Sequence, residues 1–334
     1  MRHLDDDQVP GPYVSTGHLP DGERVHTLLE EAHRAYRSDD TGITSSVYPA
    51  LQTADPDRFG LAVVDVAGAT WQVGDATVPF TIMSVAKPFV FAAVYQQVGQ
   101  DAVRKMVGLN ATGLPFNSVS AIERSPGGRT NPMVNPGAIA TTSLSPGTGV
   151  EDRWSFVVGY LSRFAGRELT LDHDVFTSAT ATNHRNRAIA RLLHDAGALG
   201  CGPNEAVEVY TRQSCLSVTA VDLAVMGATL ADGGVNPLTG EQVVDQSACR
   251  ATLAVMATAG MYETSGDWLY DVGLPAKSGI GGGIVTVSPG KGGLGTYSPR
   301  LDPAGNSVRG QLATRYLSRG LGLDLFASQA HPGT

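Results

Sequence analysis

Phe80-Thr-Ile-Met-Ser84-Val85-Ala86-Lys87-Pro-Phe-Val-Phe-Ala-Ala-Val94 is the stretch from which the fold is read. A short extended run, Pro79 to Met83, leads into Ser84, and an apolar helix follows to about Val98. Residues three apart on a helix share a face, so the Lys87 amine can reach the Ser84 hydroxyl. Serine is a poor nucleophile until a neighbouring base takes its proton. A lysine serves as that base when burial lowers its pKa, and the apolar residues from Phe89 to Val94 predict that burial. A helix N-terminus also turns the Ser84 N–H toward an anion. Ser-x-x-Lys is common by chance, however, and Ser84 alone reads equally well as a helix cap.

Only four lysines, Lys87, Lys105, Lys277 and Lys291, occur among the 24 Lys and Arg residues. A lysine kept against that bias marks chemistry that arginine, which stays protonated, cannot perform. The third of them opens Lys277-Ser278-Gly279, followed by Ile280 and three glycines. A Lys-Ser-Gly edge strand resembles the partner element of penicillin-recognising serine enzymes. The lysine adds a positive field, the strand backbone offers an N–H to an oxyanion, and the glycines admit substrate closely. In isolation the run reads as readily as a turn or a phosphate loop. Paired with Ser84 and Lys87, with helices between, it is far more specific.

Around these two segments the order is strands, helices, strands, helix. Gly22–Arg37 reads as a helix, Phe59–Val66 and Thr70–Val73 as a strand pair. Gly108 to Pro146 reads as ordered, turn-rich loops. Helices are expected at 154–165, 186–196, 204–211, 219–231 and 249–258. Short strands follow at 275–277, 283–287 and 294–297, then a helix at 311–320. This predicts an α/β fold: an antiparallel sheet flanked by helices, a helical insert at about 100–258, and the site in the cleft between. Residues 1–22 are expected to be a flexible lead-in, 23–320 one catalytic domain, and 321–334 a tail.

The formal net charge of −8 argues against nucleic acid or an anionic membrane as partner. The start of the chain lacks the apolar core of a secretory signal, and no apolar run is long enough to span a bilayer. A cytoplasmic protein is expected. Cys201, Cys215 and Cys249 form no paired motif and read as inert thiols. No metal or organic cofactor is expected.

At these residues the chain resembles the serine-dependent glutaminases, whose fold is β-lactamase-like. The likeness runs from about Glu23 to Gly310. It is carried by 79–87, Pro115-Phe-Asn-Ser118, Asn131-Pro-Met-Val-Asn-Pro-Gly-Ala-Ile139, Arg185-Asn186, Gly260-Met-Tyr262, 273–279, Ser298-Pro-Arg-Leu-Asp302 and Gly305-Asn-Ser307. The resemblance implies that Ser84 is acylated and Lys87 is its base. It implies that Asn135 and Asn186 bind the amino-acid end of the substrate, and that Tyr210 and Tyr262 line the pocket, Tyr262 as proton shuttle. The N–H groups of Ser84 and Ile280 would form the oxyanion hole. A small amide substrate and a homodimer or homotetramer are implied as well.

Two positions depart from the family pattern. A Ser-Glu pair, whose carboxylate meets the substrate ammonium, is here Ser178-Ala179. A tyrosine that touches the amino-acid end is replaced by Val47, with Tyr48 offset by one. Losing such a carboxylate costs roughly 2–5 kcal/mol of binding. The expected reaction is therefore hydrolysis of L-glutamine through acyl-Ser84. Two alternatives stand beside it: the same chemistry, as hydrolase or acyltransferase, on an amide lacking a free ammonium, and a non-catalytic binding protein.

Overall fold

The computed structural model describes residues 17–328. The first sixteen and last six positions, where most of the expected lead-in and part of the tail fall, lie outside the described residues. Helix α1 (Gly22–Tyr36) is capped by Asp21, whose side chain accepts from the Arg24 N–H. It is followed by β1 (Gly60–Asp65), β2 (Thr70–Gly74), β3 (Phe80–Thr81) and α2 (Ala86–Val98). The middle of the chain runs α3 (Gln100–Met106), α4 (Ser120–Arg124), α5 (Asn135–Ser143), α6 (Gly149–Ala165), β4 (Thr170–Leu171), α7 (His173–Thr182), α8 (His184–Asp195) and α9 (Pro203–Ser214). Then come β5 (Leu216–Val218), α10 (Ala220–Ala231), α11 (Gln246–Ala259), α12 (Ser265–Val272), β6 (Ala276–Ser278), β7 (Gly283–Ser288), β8 (Gly292–Tyr297) and α13 (Val308–Gly320).

The main sheet has the order β2-β1-β8-β7-β6 and every neighbouring pair is antiparallel. Its middle strands are buried on both faces. Leu61 and Val63 of β1 pack with Val25, Leu29 and Leu317 of α1 and α13. Their alternates, Ala62 and Val64, pack with Leu223 and Ala224 of α10 on the other side. The period of two thus sends each strand into two separate cores.

Helix α10 is buried along almost its whole length and lies directly on β8. Glycines make that approach possible: a Cβ on Gly295 would sit 1.9 Å from the Ala220 carbonyl oxygen, and one on Gly293 2.2 Å from that of Ala224. At its start Thr219 and Asp222 form a reciprocal capping box, and Arg167 grips the Asp222 carboxylate at 2.7 and 2.6 Å.

The structure differs from the sequence expectation in its middle. The stretch read as loops contains α4 and α5. In α5 every residue is buried, so no polar face marks it, and Asn135-Pro-Gly at its start mimics a turn. Helices α3, α7 and α12 were also not foreseen, nor was a second, three-stranded sheet of order β3-β5-β4. Two of its strands are two residues long, too short for a period to show.

Candidate active site

The small sheet positions Ser84. Strand β3 pairs with β5, and the Ile82 N–H continues the ladder to the Leu216 carbonyl at 2.9 Å. The chain then turns sharply. Met83 adopts φ of 48°, a left-handed conformation rare for a side chain with a Cβ, and a 3-10 turn over Met83–Val85 feeds α2. Strain of this kind costs on the order of 1–3 kcal/mol and is held only by the surrounding packing. Met83 is buried against Ile280 and Cys215. Ser84 is half-buried and faces a cavity.

Lys87 follows one turn later and is 2% exposed. Its Nζ donates to Asn135 Oδ1 at 2.7 Å and more weakly to the Met133 carbonyl at 3.4 Å. Burial, uncompensated by any carboxylate, brings its pKa down to about 7. Near neutrality a large share of this amine carries a free lone pair.

Tyr262 supplies the other side. It too is left-handed, at φ of 56°, and is buried. Its hydroxyl donates to the Ser278 carbonyl at 3.3 Å. Desolvation pushes its pKa up to about 12, so it stays protonated and able to donate. Lys277, on edge strand β6, is wholly buried. Its Nζ donates to the Gly260 carbonyl at 2.8 Å and the Ser278 carbonyl at 2.7 Å, and sits 4.1 Å from the Tyr262 ring centre. Burial first and the Lys87 charge second depress its pKa. These contacts set Lys277 against the Tyr262 ring.

The glycines after Lys277 let the end of β6 approach the turn that carries Ser84. A Cβ on Gly279 would lie 2.9 Å from the Ile82 carbonyl oxygen and 3.2 Å from the Ser84 nitrogen. Ile280 and Ser84 thereby line the same cavity.

Asn135, Asn186 and Tyr210 also line it, brought together from α5, α8 and α9. A one-way chain of side-chain amides links them. Thr211 donates to the Val207 carbonyl, Asn183 Nδ2 donates to Thr211 Oγ1 (2.8 Å), and Asn186 Nδ2 to Asn183 Oδ1 (2.6 Å). Asn135 Nδ2 then donates to Asn186 Oδ1 (3.0 Å), leaving Asn135 Oδ1 to accept from Lys87 and from the Tyr210 hydroxyl (3.0 Å). Each amide fixes the flip of the next. The chain ends by presenting an oxygen, not an NH₂, to the lysine.

The lining also contains residues to which the sequence reading gave no role: Asn183, Phe116, Asn117 and Arg185. Phe116, Asn117 and Arg185 lie inside motifs quoted above; nothing in the sequence pointed to Asn183. Val47, 50% exposed, and its neighbour Tyr48, half-buried, both line the cavity. The 3-10 turn Pro49–Thr53 docks on α7 through a bond from the Ala50 N–H to Ser178 Oγ at 3.2 Å. Ala179 is 1% exposed and packs in an apolar cluster with Leu51, Met83 and Cys215.

Cys215 and Cys249 are buried, and burial pushes both thiols up to about 12. No group of three or more His, Cys, Asp or Glu is arranged to hold a metal ion, and no helix is long and apolar enough to cross a membrane, among the described residues. A separate hollow of about 550 Å³, between Phe91, Tyr95 and Arg250, carries no nucleophile–base pair.

A model of the glutaminase family matches residues 42–326. Glutaminase 2 of Yersinia pestis is 61% identical over 319 residues, 96% of this chain and 94% of that protein. A glutaminase of Brucella canis is 46% identical over 307 residues, 92% of this chain and 97% of that one. Among solved structures, a probable glutaminase, YbaS, matches with a TM-score of 0.91 at 41% identity, over 92% of this chain and 100% of its own. A Bacillus glutaminase matches with a TM-score of 0.81 at 31% identity, over 91% and 99%. The α/β, β-lactamase-like architecture expected from the sequence is the one these structures share.

Proposed function

Because the chain belongs to the glutaminase family, we propose that it hydrolyses L-glutamine to L-glutamate and ammonia through an ester on Ser84. The observation that carries the mechanism is the Lys87 amine, wholly buried one turn from Ser84 and with its pKa brought to about 7. In its neutral form it takes the Ser84 proton as Oγ attacks the γ-carboxamide carbon. The N–H groups of Ser84 and Ile280 receive the oxyanion. The proton passes by way of Tyr262 to the amide nitrogen, the C–N bond breaks, and ammonia leaves. Water then attacks the ester, losing a proton to the same amine, and the serine is regenerated. Asn135, Asn186 and Tyr210 hold the amino-acid end, and Lys277 keeps Tyr262 in place. The protein is expected to work in the cytoplasm as a homodimer or homotetramer, the latter readable by sedimentation.

Wild type and Ser84→Ala, given millimolar L-glutamine, test the proposal. Ammonia release by wild type and none by the variant is the expected result. No release by either refutes it.

A further inference from the structure

Gly305-Asn306-Ser307 is among the stretches that carry the family likeness, yet none of the three lines the cavity beside Ser84. Asn306 is nevertheless wholly buried and bonded at both ends of its amide. Its Oδ1 accepts from the Ser278 hydroxyl, and its Nδ2 donates to Thr264 Oγ1 at 3.0 Å. Its backbone is clamped to Asp302. The Asn306 N–H donates to Asp302 Oδ1 at 2.9 Å, and the Asp302 N–H donates to the Asn306 carbonyl at 2.8 Å. The amide thus stands on a fixed loop and joins two segments that meet at Tyr262. Thr264 closes the 3-10 turn Tyr262–Thr264, where its hydroxyl donates to the Met261 carbonyl at 2.8 Å. Ser278 ends β6, and its carbonyl accepts from the Tyr262 hydroxyl. Gly305, at φ of 98°, brings the same loop to the ring. A Cβ there would lie 3.6 Å from Tyr262 Cε2 and 3.4 Å from Ile280 Cγ2.

We infer that Asn306 is a positioning residue for the reaction: it ties the left-handed Tyr262 turn to the end of β6 and so holds the Tyr262 hydroxyl where it can pass a proton to the leaving nitrogen. This deepens the glutaminase reading above and rests on its proton route through Tyr262. A residue with a Cβ stays at a φ of 56° only where its surroundings over-determine it, and Asn306 supplies part of that restraint from outside the cavity. Only an amide suits both partners. The Thr264 hydrogen is committed to Met261, so Thr264 Oγ1 offers a lone pair and needs a donor; the Ser278 hydroxyl brings a hydrogen and needs an acceptor. Leucine, close in shape, supplies neither. Lys87 is bonded elsewhere, to Asn135 and Met133, so the loss of Asn306 leaves the base in place. The defect should then appear only where the leaving group needs a proton. An amide needs one; a thioester does not, because its thiolate departs as an anion.

The test compares kcat/KM for L-glutamine, by ammonia release, with that for the γ-(S-methyl) thioester of L-glutamate, by thiol release, the Ser84→Ala background being subtracted from each. In Asn306→Leu the glutamine value should fall about 10- to 100-fold, part of the roughly 10²–10⁴ that a positioned proton donor contributes, while the thioester value stays within about threefold. Thr264→Val, at the other end of the Asn306 Nδ2 bond, should shift the ratio in the same direction, and it carries the test if Asn306→Leu does not fold. A parallel fall on both substrates, as a merely structural role would give, or no fall on either, overturns the inference. Tyr262→Phe separates the two readings. If it spares the thioester and the Asn306 and Thr264 variants do not, the inference alone fails. If Tyr262→Phe itself does not discriminate, the proton route fails and the inference with it. A wild type that releases no ammonia from glutamine overturns both.

Discussion

Lys87→Met removes the proposed general base and, by sparing the fold a buried amine, should also make the protein more stable. In the unfolded chain this lysine titrates at its ordinary value of 10.5, in the folded protein at about 7. Between those values the unfolded state binds more protons than the native one, so the wild type gains stability as pH rises through that window. At pH 6 both states hold the proton and the full burial penalty stands, about 5 kcal/mol for 3.5 pH units at 1.36 kcal/mol each. By pH 9 it has fallen to about 2 kcal/mol. Methionine has nearly the lysine's reach and carries no charge, but it leaves the Met133 carbonyl and one side of Asn135 Oδ1 without a donor, a loss of roughly 1–3 kcal/mol. The variant should therefore exceed wild type by about 2–4 kcal/mol at pH 6, and the advantage should shrink by about 3 kcal/mol at pH 9. Urea unfolding at the two pH values measures both quantities, and ammonia release should be lost at each. A variant less stable than wild type at pH 6, or a difference that does not change with pH, refutes the assignment of Lys87 as a buried, unpaired base.

In the wild type, kcat/KM for the amide should rise about tenfold per pH unit below the Lys87 pKa and level off above it, and Lys87→Arg, which cannot deprotonate, should abolish the rise. Asn183→Ala should leave the Asn186 amide free to flip, with a drop in kcat/KM of roughly 5- to 150-fold, corresponding to about 1–3 kcal/mol. A loss under twofold contradicts the one-way amide chain. Two glycines give opposite signs in thermal denaturation. Gly159→Ala, inside α6 with open space at its Cβ, should stabilise by about 0.5–1 kcal/mol. Gly295→Ala, whose Cβ would press on the Ala220 carbonyl, should destabilise by at least about 2 kcal/mol.

What the sequence reveals about the site comes from chemistry that tolerates few substitutes. Lys87 and Lys277, two of four lysines, are the pair that the fold buries. Ser84, Asn135, Asn186, Tyr210 and Ile280, named from scattered motifs, line one cavity. The long elements were legible because their burial is periodic: Val25, Leu29 and Ala32 stripe α1, and β1 alternates between two cores. Helix α5 hid because burial on all sides erases the period that betrays a helix. Asn183 was invisible for another reason. Its role depends on Thr211, 28 positions away, and on Asn186 in the helix that follows it, and no local pattern records such a meeting.

The strand order has a consequence for how the protein is made. Strand β1 takes β8 as its inner neighbour, with Asp65 opposite Gly292. A ribosome that has finished β1 must therefore add roughly 230 residues before the partner exists, about 10–45 s at 5–20 residues per second. Through that interval the emerging hairpin of β1 and β2 presents a bare apolar edge, with Leu61 and Val63 covered on one side by α1 alone. Lys87 and Lys277 come together only when the closing strands arrive, so on the proposed mechanism a nascent chain carries no working centre until synthesis is nearly over. Growth temperature and chaperone supply should thus govern the yield of this enzyme more than the modest stability of any one of its helices.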